Sequence, residues 1–332
     1  MRGKNATIYH TFAFWRNALD NSAGGLSRWY KCGKALLNEI AVSRPGAGES
    51  HIWFAGQHGF IIRLGGMVFY IDVILDDLAD KNGITRRVYP PPFEPAEVQR
   101  VDYVLCTHNH SDHLNLRTLL PLAKANPRVR FVVPSPFKRM LIEAGIGEER
   151  VLAAGAGESI DLFADGPREN QGEPAPVILV PVPAIHTKRI REDGEKDENG
   201  DYTSLGYVLK GDGISIYHSG DTWVTPFLIE ALKTHAPLDI AMLPINGTDW
   251  ERTEAGCIGN MGVLDAVKLA RTLCVDIVFP SHYDMMASNS ENPARFADSM
   301  YALCPEKRFH VFALGERFIY RKELCSVRSA PS

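Results

Sequence analysis

The chain has 332 residues, 45% of them hydrophobic and 23% charged, with a formal net charge of −4. That balance belongs to a soluble globular protein and offers none of the basic footprint that nucleic-acid binding requires. No apolar run approaches the roughly 20 residues of a membrane span, and "MRGKNATIYHTFAFWRNALDN" lacks the uninterrupted apolar centre of a signal peptide, so a cytoplasmic location is expected.

Residues 1–50 read as a helical N-terminal extension. Tyr9, Phe12, Phe14, Trp15, Trp29 and Tyr30 stand among charges there, a pattern compatible with one or two amphipathic helices. The breaker-rich "RPGAGES" at 44–50 then ends the extension, and residues 51–325 read as one domain. This domain opens with "HIWFAGQHGFIIRLGGMVFYIDVIL", short β-rich runs broken at Gly56 and Gly59 and again at Gly65-Gly66. The Gly-Gly pair predicts a hairpin, because both turn positions can take positive φ. Further strands are expected at 101–107, 130–135, 177–184, 204–210, 214–219, 239–245 and 276–281, and helices at 115–125, 136–145 and 262–273. Strands and helices interspersed in this way predict a layered α/β domain. The six cysteines (Cys32, Cys106, Cys257, Cys274, Cys304 and Cys325) form no C-x-x-C pair and are expected to be core thiols.

The densest chemical signal is "THNHSDH" at 107–113, which places three of the eleven histidines and an aspartate in seven positions. The strand before it ends near His108, and three other predicted strands end near His186, Asp221 and His282. If these strands lie side by side, one rim collects His108, His110, Asp112, His113, His186, Asp221 and His282. In extended backbone, residues two apart point the same way, so His108 and His110 can grip one ion, while Asp112 and His113 beyond the bend face a second. Imidazole and carboxylate ligands suit zinc, manganese or iron, and the lack of thiolates argues against a closed structural zinc site. Asp221 is the natural bridge, since a carboxylate has two oxygens to share.

The H-x-H-x-D-H pattern resembles the metallo-β-lactamase fold hydrolases. The resemblance extends to Asp72 in "YIDV", His186, Asp221 in "YHSGDT" and His282 in "FPSHYD". It implies a four-layer αββα sandwich with two divalent ions: His108, His110 and His186 around one, Asp112, His113 and His282 around the other, and Asp221 between. A narrower likeness, in "WFAGQHGFIIRLGGMVFYIDV", "YPPPFEP" and "YHSGDT", is to the branch holding the L-ascorbate-6-phosphate lactonases, with N-acyl phosphatidylethanolamine phospholipase D a more distant relative. "PAIHTKR" departs from the third motif of those lactonases.

The expected activity is hydrolysis of a small anionic lactone by a hydroxide held between the ions, with Asp112 or a metal-bound water protonating the leaving alcohol. A phosphodiesterase is the alternative. A nuclease is disfavoured by the absence of a basic arm and of a large insertion between Asp221 and His282. Lys188, Arg189 and Arg191, beginning next to His186, are candidates to bind a substrate phosphate or carboxylate. Asn246 and Asp249, beyond another strand end, are candidates for substrate contact. His58 and His218 are candidates to orient ligands. A homo-oligomer is expected from the same resemblance.

Overall fold

The computed structural model describes residues 28–82, 84, 86–162, 176–188 and 193–322. Most of the N-terminal extension, Arg189, Arg191 and Cys325 therefore lie outside the described residues. In chain order the described elements are α1 (Gly33–Val42), β1 (Glu49–Gly56), β2 (Gly59–Leu64), β3 (Met67–Ile71), β4 (Tyr103–Leu105), α2 (Leu116–Ala125), β5 (Arg130–Pro134), α3 (Lys138–Glu143), β6 (Val151–Ala154), β7 (Ile160–Asp161) and β8 (Ile178–Pro183). They continue with β9 (Leu205–Gly211), β10 (Ile214–His218), α4 (Pro226–Lys233), β11 (Ile240–Pro244), α5 (Trp250–Glu254), α6 (Val263–Thr272), β12 (Ile277–Ser281), α7 (Pro293–Leu303), β13 (Arg308–Phe309) and β14 (Arg317–Arg321).

Two seven-stranded sheets run β14-β1-β2-β3-β4-β5-β6 and β13-β12-β11-β10-β9-β8-β7. Strands β3 to β6 are mutually parallel, as are β10 to β13, while the remaining pairings are antiparallel, β1 with β14 among them. The β2–β3 hairpin pairs Leu64 with Met67 across the Gly65-Gly66 turn, and both glycines take positive φ, as the Gly-Gly pair predicts.

Strand alternation creates the layers. Ile52, Phe54, Phe60, Ile62, Phe69 and Leu105 point inward and meet Leu205, Ile216, Met242 and Phe279 of the opposite sheet. The alternate residues Trp53, Val68 and Tyr70 face outward against Leu36 and Ile40 of α1 and Leu119 and Leu122 of α2. On the other side Val208, Tyr217 and Ala241 pack on Leu228, Ala266 and Phe296 from α4, α6 and α7. The result is an αββα sandwich. Both faces of the central strands are buried, which is why they read as continuous apolar runs rather than alternating ones. Each large apolar side chain so buried contributes about 1.5–3 kcal/mol, and a one-residue slip would exchange the two faces.

Several helices begin where their sequences provide a cap. Asn115, Thr225 and Asn292 each accept a main-chain N–H of the following turn, and proline opens α4 and α7. The cysteine expectation needs correcting. Cys106 and Cys304 are buried, but Cys32, at the start of α1, and Cys274, at positive φ just after α6, are exposed because they sit at helix ends rather than on inward faces. Among the described residues, no helix is long and apolar enough to cross a membrane.

Candidate metal centre

The strands β4, β8, β10 and β12 each end one to three residues before a chemically active side chain, and all of these ends open on one rim. Ligands in open α/β sheets characteristically gather at such carboxyl ends. Here His108, His110, Asp112, His113, His186, Asp221 and His282 come together.

Asp72, just past β3, organises the entry to the histidine motif. It sits at φ +49, a conformation that costs a non-glycine residue energy and is kept only where the surroundings enforce it. Its Oδ1 accepts the Thr107 main-chain N–H at 2.9 Å, and its Oδ2 accepts the Thr107 hydroxyl at 2.7 Å. With its one proton spent on Asp72, the Thr107 oxygen accepts Nδ1–H of His108 at 3.0 Å, which leaves the His108 Nε2 lone pair free to face the site. Asp72 Oδ2 also accepts Nδ1–H of His113 at 2.7 Å, which turns the His113 Nε2 lone pair the same way. Between them the chain bends, with the His113 and Leu114 N–H groups both donating to the His110 carbonyl.

Two groups result. In the first, His108 Nε2 and His186 Nε2 lie 2.9 and 3.1 Å from His110 Nδ1. Four ligands at about 2.0–2.1 Å around a zinc ion stand roughly 3.3 Å apart, so this spacing suits a shared cation. One proton on His110 can satisfy only one neighbour, whereas a cation satisfies all three lone pairs. Burial holds His108 well below the usual imidazole range and His186 down to about 4, and it lowers His110 as well, so the three are neutral donors at neutral pH.

In the second group, Asp112 Oδ2 lies 3.6 Å from His113 Nε2 and 3.5 Å from His282 Nε2. Burial opposes charge on His113 and His282. The surrounding carboxylates outweigh it, Asp221 foremost, lifting His113 well above the usual range and His282 to about 9.

Asp221 reaches both groups. Its Oδ1 is 3.4 Å from His113 Nε2, and its Oδ2 is 3.2 Å from His282 Nε2 and 3.9 Å from His186 Nε2. Burial works against its charge, but His282 and His113 hold its carboxyl well below the usual range. His113 Nε2 and Asp221 Oδ1 are buried with no hydrogen-bond partner, an arrangement that a cation would complete. The donor set fits divalent ions.

Around these groups lie two residues, Gln57 and Asp284, whose importance the sequence reading did not register, and the two histidines, His58 and His218, that it named as candidates to orient ligands. Gln57, in the β1–β2 turn, donates from Nε2 to Asp112 Oδ2 at 2.9 Å. Asp284 accepts the Gln57 main-chain N–H at 2.9 Å, and burial raises its carboxyl to about 6. Neither has a local sequence signal, since their partners lie 55 and 227 positions away. His58 and His218 lie beneath the site with ring centroids 4.0 Å apart. His58 Nδ1 pairs with Ser281 Oγ at 2.6 Å, beside His282, and His218 Nδ1 accepts the Gly220 N–H at 3.3 Å, beside Asp221.

The candidate substrate residues are placed differently from one another. Lys188 is exposed next to the His186 segment. Asn246 is buried, with its amide engaged by Asn289 at 2.9 Å and Asn260 at 3.2 Å. Asp249 is exposed and caps α5, accepting the Arg252 N–H at 2.8 Å.

Comparison with known proteins identifies the family and the fold. The Beta-lactamase superfamily domain matches residues 69–283. A UPF0173 metal-dependent hydrolase of Pyrococcus furiosus is 26% identical over 238 residues, covering 70% of this chain and 88% of that protein. An N-acyl-phosphatidylethanolamine-hydrolyzing phospholipase D of Caenorhabditis elegans is 24% identical over 196 residues, covering 57% of this chain and 52% of that protein. The structure of Igni18, a metallo hydrolase from Ignicoccus hospitalis, superimposes with a TM-score of 0.58 at 17% identity, over 83% of this chain and 100% of that one. The family match spans well over half of the chain, which therefore belongs to the Beta-lactamase superfamily domain family and is a metal-dependent hydrolase.

Proposed function

We propose that the centre holds two divalent ions, zinc, manganese or iron, and hydrolyses a small anionic lactone. His108, His110 and His186 hold one ion, Asp112, His113 and His282 the other, and Asp221 serves both. The observation that carries the two-ion part of this reading is the placement of Asp221, whose oxygens stand 3.2 and 3.4 Å from His282 and His113 and 3.9 Å from His186. Bound ions would supply an activated water near neutral pH and polarise the scissile group.

The chain's own residues supply the rest. Asp112 directs Oδ2 at the second group while its side chain stays 18% exposed; burial opposes its charge, but His113 and His282 hold its carboxyl well below the usual range, so it is a carboxylate that takes a proton from the attacking water before passing it to the leaving alcohol. Lys188, exposed beside the His186 segment, is positioned to hold a substrate phosphate or carboxylate by charge-assisted hydrogen bonds, and Arg189 is assigned the same task. A phosphodiester is the second reading, favoured by the similarity to the phospholipase D. An assay of lactones, phosphorylated lactones, and alkyl and aryl phosphodiesters on the metal-loaded protein separates the two. Dominant lactone turnover, with Lys188→Ala raising KM chiefly for the phosphorylated substrate, supports the first. Phosphodiester cleavage with lactones inert replaces it by the second.

A further inference from the structure

We infer that Gln57 is a positioning residue whose side-chain amide sets the Asp112 carboxylate and the His282 ring, and through them the second ion group; this rests on the two-ion reading. Four observations carry it. Gln57 sits at φ +58, an uncommon conformation for a long side chain, in the turn between β1 and β2. Both of its main-chain groups are tied to the segment that carries His282: its N–H donates to Asp284 Oδ1 at 2.9 Å, and its carbonyl accepts the His282 N–H at 2.5 Å. Its amide nitrogen donates to Asp112 Oδ2 at 2.9 Å and lies 3.1 and 3.4 Å from the two ring nitrogens of His282. Near-equal distances to both nitrogens place the amide across the ring rather than end-on, so it restrains the ring without competing for the Nε2 lone pair.

The fourth observation is a cost. Gln57 Oε1 is buried with no hydrogen-bond partner. A methionine of similar length would fill the space without that penalty, so the amide is retained for what its nitrogen donates. Asp112 Oδ2 is the same oxygen that faces His113 and His282. By binding it, Gln57 fixes which oxygen serves the ion and leaves the other to the open side of the site.

The test uses Gln57→Met, which keeps length and removes the donor, and Gln57→Glu, which keeps shape and turns the donor into an anion facing Asp112. Ion-free wild type and variants are titrated with Zn²⁺ against a competing chelator, their ion-free melting temperatures are compared, and an ion-free crystal structure of a variant is determined. The expected result is a 10–100-fold loss of affinity for the weaker ion, little change in ion-free melting temperature, and an Asp112 carboxylate turned away from His113. Unchanged affinity with Asp112 in place overturns the inference, as does a lowered ion-free melting temperature with affinity intact, the mark of a merely structural role. If the Met variant does not fold, the Glu variant is read in the same way. Wild type that binds one ion sinks the two-ion reading, and the Gln57 comparison is then made on that ion. Wild type that binds none leaves the Asp112 position in the variant crystal to decide.

Discussion

Asp72 Oδ2 lies 2.7 Å from His113 Nδ1, with both side chains fully buried and the Asp72 backbone held at φ +49. The contact explains why a residue 41 positions before His113 belongs to the site. It fixes the tautomer that turns Nε2 toward Asp112 and Asp221, and through Thr107 it orients His108 as well. Asp72→Asn keeps the shape and loses the charge. We expect ion affinity to fall 10–100-fold with the fold intact, measured by chelator competition beside circular dichroism. Asp72→Ala strands His113 and the Thr107 N–H in the interior and should cost about 3–5 kcal/mol in denaturant unfolding. Ion binding by Asp72→Asn equal to wild type would remove Asp72 from the site.

Acid should separate the two ion groups. The first consists of imidazoles that burial keeps neutral, His186 down to about 4, so protons compete with its ion only in acid. In the second, carboxylates overcome burial and raise His282 to about 9 and His113 well above the usual range, so an ion entering there must displace protons. A raised imidazole pKa means more bound proton below that pKa, and the second affinity therefore climbs as pH rises toward about 9, where His282 gives up its proton. Titration calorimetry at pH 6 and pH 9 should show one tight site persisting and the other weakening in acid, with proton release on binding. Parallel loss of both ions would contradict this division.

Asp221 and Asp249 are both aspartates beyond strand ends, yet the structure gives them different work. Asp221 is buried between the groups, while Asp249 is exposed and caps α5. Asp221→Ala should lower the content of both ions and abolish turnover. Asp249→Ala should cost about 1 kcal/mol of stability through the lost cap and leave ion content unchanged. Equal ion loss in the two variants, by atomic emission on purified protein, would sink the assignment of Asp221.

Much of this architecture could be read locally. Apolar runs marked the central strands to within a residue or two at most ends, because strands buried on both faces leave no polar positions. Strand β4 departs most, by two residues at both ends. It spans only Tyr103–Leu105 of the expected 101–107, since Thr107 has already turned away to meet Asp72. The α4 and α7 helices carry start signals in Thr225-Pro226 and Asn292-Pro293, but α4 has only 8 residues, and α7, although it has 11, buries just Phe296 and Met300, too few apolar positions to show a period. The short strands β6, β7 and β13 carry too few residues to show a period. Asn246, a candidate for substrate contact, has its amide engaged by Asn289 and Asn260, partners that local sequence does not reveal. Gln57 escaped for the same reason: its role is made by His282, 225 positions away.

The turn that delivers Asp221 offers a final test, through Gly220. This residue has φ +57, and a Cβ added there would stand 2.8 Å from both the Leu205 carbonyl oxygen and the Thr107 Cβ. Neither neighbour yields easily. The Leu205 N–H is itself bonded to the Thr107 carbonyl, and Thr107 is fixed by Asp72. Gly220→Ala therefore meets about 1–2 kcal/mol of backbone strain and about 1–3 kcal/mol of overpacking. Relief can come only by moving Thr107, which precedes His108, or the turn, which carries Asp221. Either movement disturbs an ion ligand, so we expect ion affinity and melting temperature to fall together. A variant that loses stability while binding ions as wild type does would show that the close contact at Gly220 supports the sheets without governing the centre.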